Sequence, residues 1–201
     1  MDSPTDSGGH RPRCPRCQRP LLHCLCPLIP RLSSRTQVLI LQHPEEARHA
    51  LNTARLAALG LERAELQVGE RFPELTLSPG RYLLFPGEQA VPITELDSPC
   101  LSQLIVPDGT WRKARKLLHL NPALAALPRV ALPEGCVSRY RLRKAPMPGA
   151  LSTLEAIVLA LNLLEGTERF NALLQPFEAL IEGQIRAMGE ETFQRNHNRP
   201  G

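Results

Sequence analysis

Four cysteines within thirteen residues, Cys14-x2-Cys17-x6-Cys24-x-Cys26, form the densest group of metal-capable side chains in the sequence. Four soft sulfur donors so close together suit a closed tetrahedral zinc site, whose metal replaces the core that so short a segment cannot make. A redox pair fits less well, because no strand precedes the C-x-x-C as it would in a thioredoxin-like unit. The cluster is therefore expected to hold structural Zn2+, with His10 and His23 as reserve ligands. Cys100 and Cys136 have no close cysteine partner and read as buried or inert.

A second chemical signal is Leu104-Ile105-Val106-Pro107-Asp108-Gly109-Thr110-Trp111, an apolar run that ends in an acid, a glycine and the single tryptophan. Ile105 and Val106 read as a buried strand stopped by Pro107, which has no N–H for the ladder. A helical pattern begins after Thr110, with Trp111, Ala114 and Leu118 on one face and Arg112, Lys113, Arg115 and Lys116 outside it. Open α/β sheets place ligands at such a strand tip facing a helix N-terminus. Asp108 there has three available roles: general base, ligand to an amino group, or helix cap. Trp111 has two, core packing by its helical spacing or stacking on a base. Gly109 lets the backbone approach another group closely.

The elements that must position these residues follow an alternating pattern. Thr36 to Gln42 is a nearly continuous apolar strand, as a strand covered on both faces would be. His43-Pro44 ends it, and Glu45 to Leu59 reads as a helix stopped by Gly60, carrying the poor helix formers Asn52 and Thr53. Further strands are expected at Ala64–Val68, Tyr82–Phe85 and Arg129–Leu132, the second emptying into a Pro86-Gly87 turn. From Ser138 to Lys144 the residues alternate, with Tyr140 and Leu142 on one face and Arg139, Arg141 and Arg143 on the other. Ser152 and Glu155 form a capping box for a helix that buries Leu154, Ile157, Val158 and Leu161. A last amphipathic helix or pair spans Phe170 to about Phe193, interrupted near Pro176. Together these predict an α/β domain with a mostly parallel sheet and helices on both faces. No G-x-G-x-x-G follows the first strand and no Walker loop is present, which argues against Rossmann and P-loop nucleotide sites.

Charge adds a partner class. The chain of 201 residues carries a net +4, but nine Lys/Arg face only two acids between Asp108 and Lys144. Such a basic middle third points to a polyanion, most simply a nucleic acid, although a solvated helix face plus a basic loop gives the same count. No apolar run approaches the roughly 18 residues of a membrane helix, and the polar start lacks a signal peptide, so a cytoplasmic protein is expected. The 20 prolines and 42% hydrophobic content fit a folded, turn-rich domain.

Asp108-Gly109-Thr110-Trp111 resembles the Asp-x-Thr-Trp signature of the DTW-domain family, the tRNA-uridine aminocarboxypropyltransferases. In the same order as in that family come the Cys14–Cys26 cluster, His43-Pro44-Glu45 with Asn52-Thr53, Leu84-Phe85-Pro86-Gly87, Tyr140-Arg141-Leu142-Arg143 and Ser152-Thr153-Leu154-Glu155-Ala156. The resemblance implies a SPOUT-like catalytic domain over residues 33–193, with a C-terminal trefoil knot around S-adenosylmethionine. It would lie between a disordered stretch 1–12 plus a four-cysteine zinc segment 13–32 and a frayed tail 194–201. The implied reaction moves the 3-amino-3-carboxypropyl group to N3 of a tRNA uridine and releases methylthioadenosine. The implied catalytic residues are Asp108, Thr110 and Trp111, and the cofactor contacts are Phe85, Pro86, Gly87, Pro107, Asp108, Leu151, Ser152 and Thr153. His43 and Asn52 would contact tRNA from the site. Arg112, Lys113, Arg115, Lys116, Arg139, Tyr140, Arg141, Arg143 and Lys144 would contact its backbone. A SPOUT-class RNA methyltransferase and a non-catalytic zinc-containing RNA-binding protein are the rival readings.

Overall fold

The computed structural model describes residues 12–49, 51–96, 101–139 and 151–189. Its strands are β1 (Gln37–Gln42), β2 (Ala64–Val68), β3 (Arg81–Leu84), β4 (Val91–Pro92), β5 (Gln103–Asp108) and β6 (Arg129–Ala131). They form one sheet in the order β2-β1-β5-β3-β6-β4, and each of these pairings is parallel. The helices are α1 (Pro44–Ala47), α2 (Ala54–Gly60), α3 (Trp111–Leu120), α4 (Pro122–Ala125), α5 (Thr153–Glu165) and α6 (Leu174–Met188).

Alternation along the central strands builds two cores. Val38 and Ile40 of β1 and Leu104 and Val106 of β5 point to the side covered by α2, α5 and α6. Leu39, Leu41 and Ile105 point to the other side, against Leu117 and Leu118 of α3 and Leu124 of α4. The continuous apolar run in β1 thus has the cause read from it, burial on both faces. The cysteine segment is part of the larger core. Cys14, Cys17, Leu25 and Ile29 are buried in it, and Leu32 bridges to Leu61 at the end of α2.

Three expectations about element boundaries are corrected. The helix expected over Glu45–Leu59 is two helices, α1 and α2, and Asn52-Thr53 lie in the break before α2. The side chain of Asn52 accepts from Arg55 N at 3.2 Å, the local capping competition that makes Asn a poor interior helix residue. α2 ends at Gly60, as read, and Gly60 lies in close approach to Leu173, where a Cβ would collide with that side chain. Pro107 does not end β5, which continues to Asp108. Gln37 N bonds Ser102 O and His43 N bonds Asp108 O, so even-numbered residues of β5 face β1. Pro107 therefore turns its nitrogen toward β3, whose pairing has already ended at Ile105. Pro176 does not interrupt the last helix. It sits in the first turn of α6, where its missing N–H is not needed, and the break is the tight turn Arg169–Leu173 before it.

Among the described residues, no helix is long and apolar enough to cross a membrane. Tyr140, Arg141, Leu142, Arg143 and Lys144 lie outside the described residues, as does the rest of the stretch 140–150 between β6 and α5. His10, Cys100, residues 1–11 and the tail 194–201 lie outside them as well.

Candidate active site

The carboxyl ends of β3, β5 and β6 open onto a cavity of about 510 Å³. Its walls are the segments that follow those strands, with Phe85 and Pro86, Pro107 and Gly109, and Leu132 to Cys136, closed by Trp111 of α3 and by Leu151 and Thr153 at the start of α5. The volume and the mainly apolar lining are those of a small-molecule site, placed where parallel sheets put them. Phe85 and Trp111 meet edge to face at 5.5 Å between centroids, so both rings form one rim of the cavity. Trp111 is half-buried and stands outside both cores, which corrects the core-packing reading of its helical spacing.

Asp108, 8% exposed, does not itself line this cavity but sits between Pro107 and Gly109, which do, and beneath Thr153 of its wall. Gln42 Nε2 donates to its Oδ2 at 2.7 Å, and the Thr153 hydroxyl donates to its Oδ1. A carboxylate only accepts, so Gln42 must present its amide nitrogen, and its own orientation is fixed by a reciprocal pair with Asn52 at 3.1 and 3.3 Å. Asp108 is therefore no helix cap. That role belongs to Thr110, whose hydroxyl accepts from Lys113 N. Gly109 has a steric reason as well, since a Cβ there would lie 3.0 Å from that of Lys113 and 3.7 Å from that of His43.

The capping box at the start of α5 reaches further than its helix. Glu155 is buried, and its carboxylate accepts from Ser152 N at 2.8 Å, Arg139 N at 2.6 Å and Ser138 Oγ at 2.9 Å. It thereby ties the end of the cavity loop to the helix that carries Thr153. Ser152 itself is buried as the cap and does not line the cavity. Glu155→Ala leaves these donors without their acceptor and is expected to cost about 3 kcal/mol. That corresponds to a fall of about 10 °C in Tm, readable by circular dichroism.

Several residues expected to face RNA are engaged internally. Lys113 pairs with Glu46 at 2.7 Å and Glu45 at 2.9 Å, which raises the lysine pKa and lowers that of Glu45. Lys116 pairs with Glu70 at 2.7 Å, and Arg139 with Glu178 at 2.8 Å. His43 is buried. Its Nδ1 accepts from Glu45 N at 3.3 Å, and its Nε2 lies 3.0 Å from Glu70 Oε1, off the line a hydrogen bond needs. Asn52 supports Gln42. Arg112 and Arg115 are exposed on α3 and pair with no described residue.

Sequence reasoning missed Gln42, Arg129 and the Leu132–Cys136 wall. A polar residue closing an apolar parallel strand was the available signal for Gln42. Cys136, read as inert, lines the cavity and donates to Pro133 O at 3.0 Å.

The four cysteines near the start meet as their spacing predicts. Cys14 and Cys26 Sγ are 3.6 Å apart, Cys17 and Cys24 Sγ 3.8 Å, and all four lie within 4.8 Å of one another. A tetrahedral site with metal–sulfur bonds of about 2.3 Å needs sulfurs about 3.8 Å apart. The backbone amides of Cys17 and Arg16 hold the Cys14 thiol down at about 6, whereas burial and the three other sulfurs push Cys26 up to about 12. The donor set fits a metal ion, and His23 is not part of it.

The fold and site define a parallel α/β protein with a small-molecule cavity at the carboxyl edge of its sheet and a four-cysteine cluster that could hold a metal. The chain belongs to the DTW domain family, whose model matches residues 11–185. It is 34% identical to tRNA-uridine aminocarboxypropyltransferase 2 of Macaca fascicularis over 96% of this chain and 70% of the relative. It is also 34% identical to the Drosophila melanogaster protein of that name, over 97% and 86%. Identity to tRNA-uridine aminocarboxypropyltransferase A of Arabidopsis thaliana is 27%, over 92% and 86%. No solved structure matches the chain significantly.

Proposed function

We propose that this protein transfers the 3-amino-3-carboxypropyl group of S-adenosylmethionine to N3 of a uridine in tRNA. The observation that carries the reading is the buried Asp108 carboxylate, held by Gln42 and by Thr153, the latter a wall residue of a cavity of about 510 Å³, in a chain of this family. In the reaction the N3 proton leaves to Asp108, directly or through one water. The N3 electron pair forms the new bond to the γ carbon of the donor. The sulfur–carbon bond breaks, and its electrons neutralise the sulfonium to give methylthioadenosine. All three carbons on that sulfur are activated, so the protein's main task is to present the longer chain to the nucleophile, a matter of positioning.

The cavity residues suit this donor. Phe85 and Trp111 offer aromatic surface to a sulfonium cation, and Pro86, Pro107, Leu132 and Leu151 offer apolar surface to adenosine. Zinc is assigned to Cys14, Cys17, Cys24 and Cys26, where four thiolates would fix the segment and do no chemistry on the substrate. Arg112 and Arg115, with Arg141, Arg143 and Lys144 outside the described residues, are assigned to tRNA phosphates, which makes binding strongly salt-dependent.

Incubation with S-adenosylmethionine and unmodified total tRNA is expected to yield methylthioadenosine and aminocarboxypropyl-uridine, both read by mass spectrometry. S-adenosylhomocysteine with a methylated nucleoside would instead establish methyl transfer. Salt-sensitive tRNA binding with neither product would establish a binding protein.

A further inference from the structure

Beside the main cavity lies a second, more open cleft of about 380 Å³, lined by Phe85, Pro86, Trp111, Arg115, Leu118 and Arg129. The two spaces share Phe85, Pro86 and Trp111, so the aromatic pair borders both. Arg129, from β6, carries its guanidinium 5.9 Å from the centre of the Phe85 ring. It also lies across Gly87, where a Cβ would come within 3.0 Å of Nη1, so the glycine leaves the guanidinium its place. Arg115 reaches the same cleft from α3, one turn beyond Trp111.

These two arginines differ from the other cations around the site. Lys113, Lys116 and Arg139 each face a glutamate within 3 Å, whereas Arg115 and Arg129 pair with no carboxylate among the described residues. Two uncompensated guanidinium groups flanking two aromatic rings match a planar base with phosphates beside it. They do not match a neutral or cationic ligand. A base reached in this way must be out of its stack, as in a single-stranded loop.

We propose that the cleft is the acceptor subsite. The nucleotide next to the target uridine packs against Trp111, its phosphates engage Arg115 and Arg129, and the target base itself passes the rim of Phe85 and Trp111 into the main cavity, toward Asp108. The inference rests on the transferase reading above. It adds Arg129 and the cleft as determinants of acceptor binding, separate from the donor.

The test compares the full-length protein with Arg129→Gln and Arg115→Gln. Anisotropy with labelled tRNA gives Kd and its salt slope, and transfer kinetics give KM for tRNA and for S-adenosylmethionine separately. Each substitution is expected to weaken tRNA binding about tenfold and to lower the salt slope by about one, with the loss confined to kcat/KM for tRNA. Arg115 is on the exposed side of α3, so its variant keeps the test valid if the strand variant does not fold. A rise in KM for S-adenosylmethionine with tRNA affinity unchanged would overturn the proposal, because the arginines would then hold the donor's carboxylate. No change in either parameter would overturn it too. If wild type binds tRNA and both variants bind it less, but no methylthioadenosine is released, the subsite stands and the transferase reading fails.

Discussion

Asp108→Asn is expected to lower turnover by a factor of about a hundred to ten thousand, the range for loss of a positioned proton acceptor, with Tm within a few degrees of wild type. The substitution keeps the shape of the side chain and removes its charge and its capacity to take a proton. The surroundings tolerate the amide for a definite reason. Gln42 Nε2 still finds an acceptor in the oxygen of the new side-chain amide, and the Thr153 hydroxyl, which both donates and accepts, turns to receive the amide N–H. The lost activity therefore reports chemistry and not folding. Gln42→Leu serves as the companion variant. It leaves the carboxylate in place but removes the Gln42 hydrogen bond to it, so a smaller loss in kcat is expected, with little change in KM for S-adenosylmethionine. Single-turnover release of methylthioadenosine measures both. Full activity in Asp108→Asn would remove Asp108 from the proton transfer and leave uridine deprotonation to solvent.

The fold was largely legible because its signals are local. β2 occupies the stretch read for it, β1 and β3 start one residue from theirs, and the Ser152–Glu155 capping box is formed as its spacing requires. The misreadings have tertiary causes. The sequence reads as a single helix across α1 and α2, but the side chain of Asn52 is engaged by Gln42 ten residues earlier, and that contact fixes the break. Pro107 reads as a stop in any strand whose neighbours are unknown. It is accommodated because β3 ends on that side, a fact of strand order. Charge was the weakest guide. Lys113 and Lys116 look identical to Arg112 and Arg115 in the sequence, and the acids that neutralise them come from α1 and from Glu70 after β2. Arg129 carried no signal in its own strand. Its role depends on Gly87 and Phe85 at the end of a different one.

Removal of the metal proposed for the four-cysteine cluster is expected to reach the active site through packing. Cys14 and Cys17 are part of the larger core, and without an ion the four sulfurs of the cluster cannot all be thiolates within 4.8 Å of one another, with Cys26 held near 12. Binding must displace those protons and draws its strength from the cluster that the fold assembles. The segment is joined to the sheet by Leu32, whose N–H bonds Gly60 O and whose carbonyl accepts from Glu62 N, both at the end of α2. The start of α2 is ordered by Asn52, and Asn52 holds Gln42 against Asp108. A strong chelator or Cys17→Ser should therefore lower Tm by about 10 °C or more, as a loss of about 3 kcal/mol or more does in a domain of this size. It should also reduce turnover at temperatures where α2 is still folded by circular dichroism. Zinc content, Tm and methylthioadenosine release measured on the same samples give the answer. If the metal is gone while Tm and turnover both hold, the cysteines are a packing cluster, and the path from Leu32 to Asp108 carries no stability to the site.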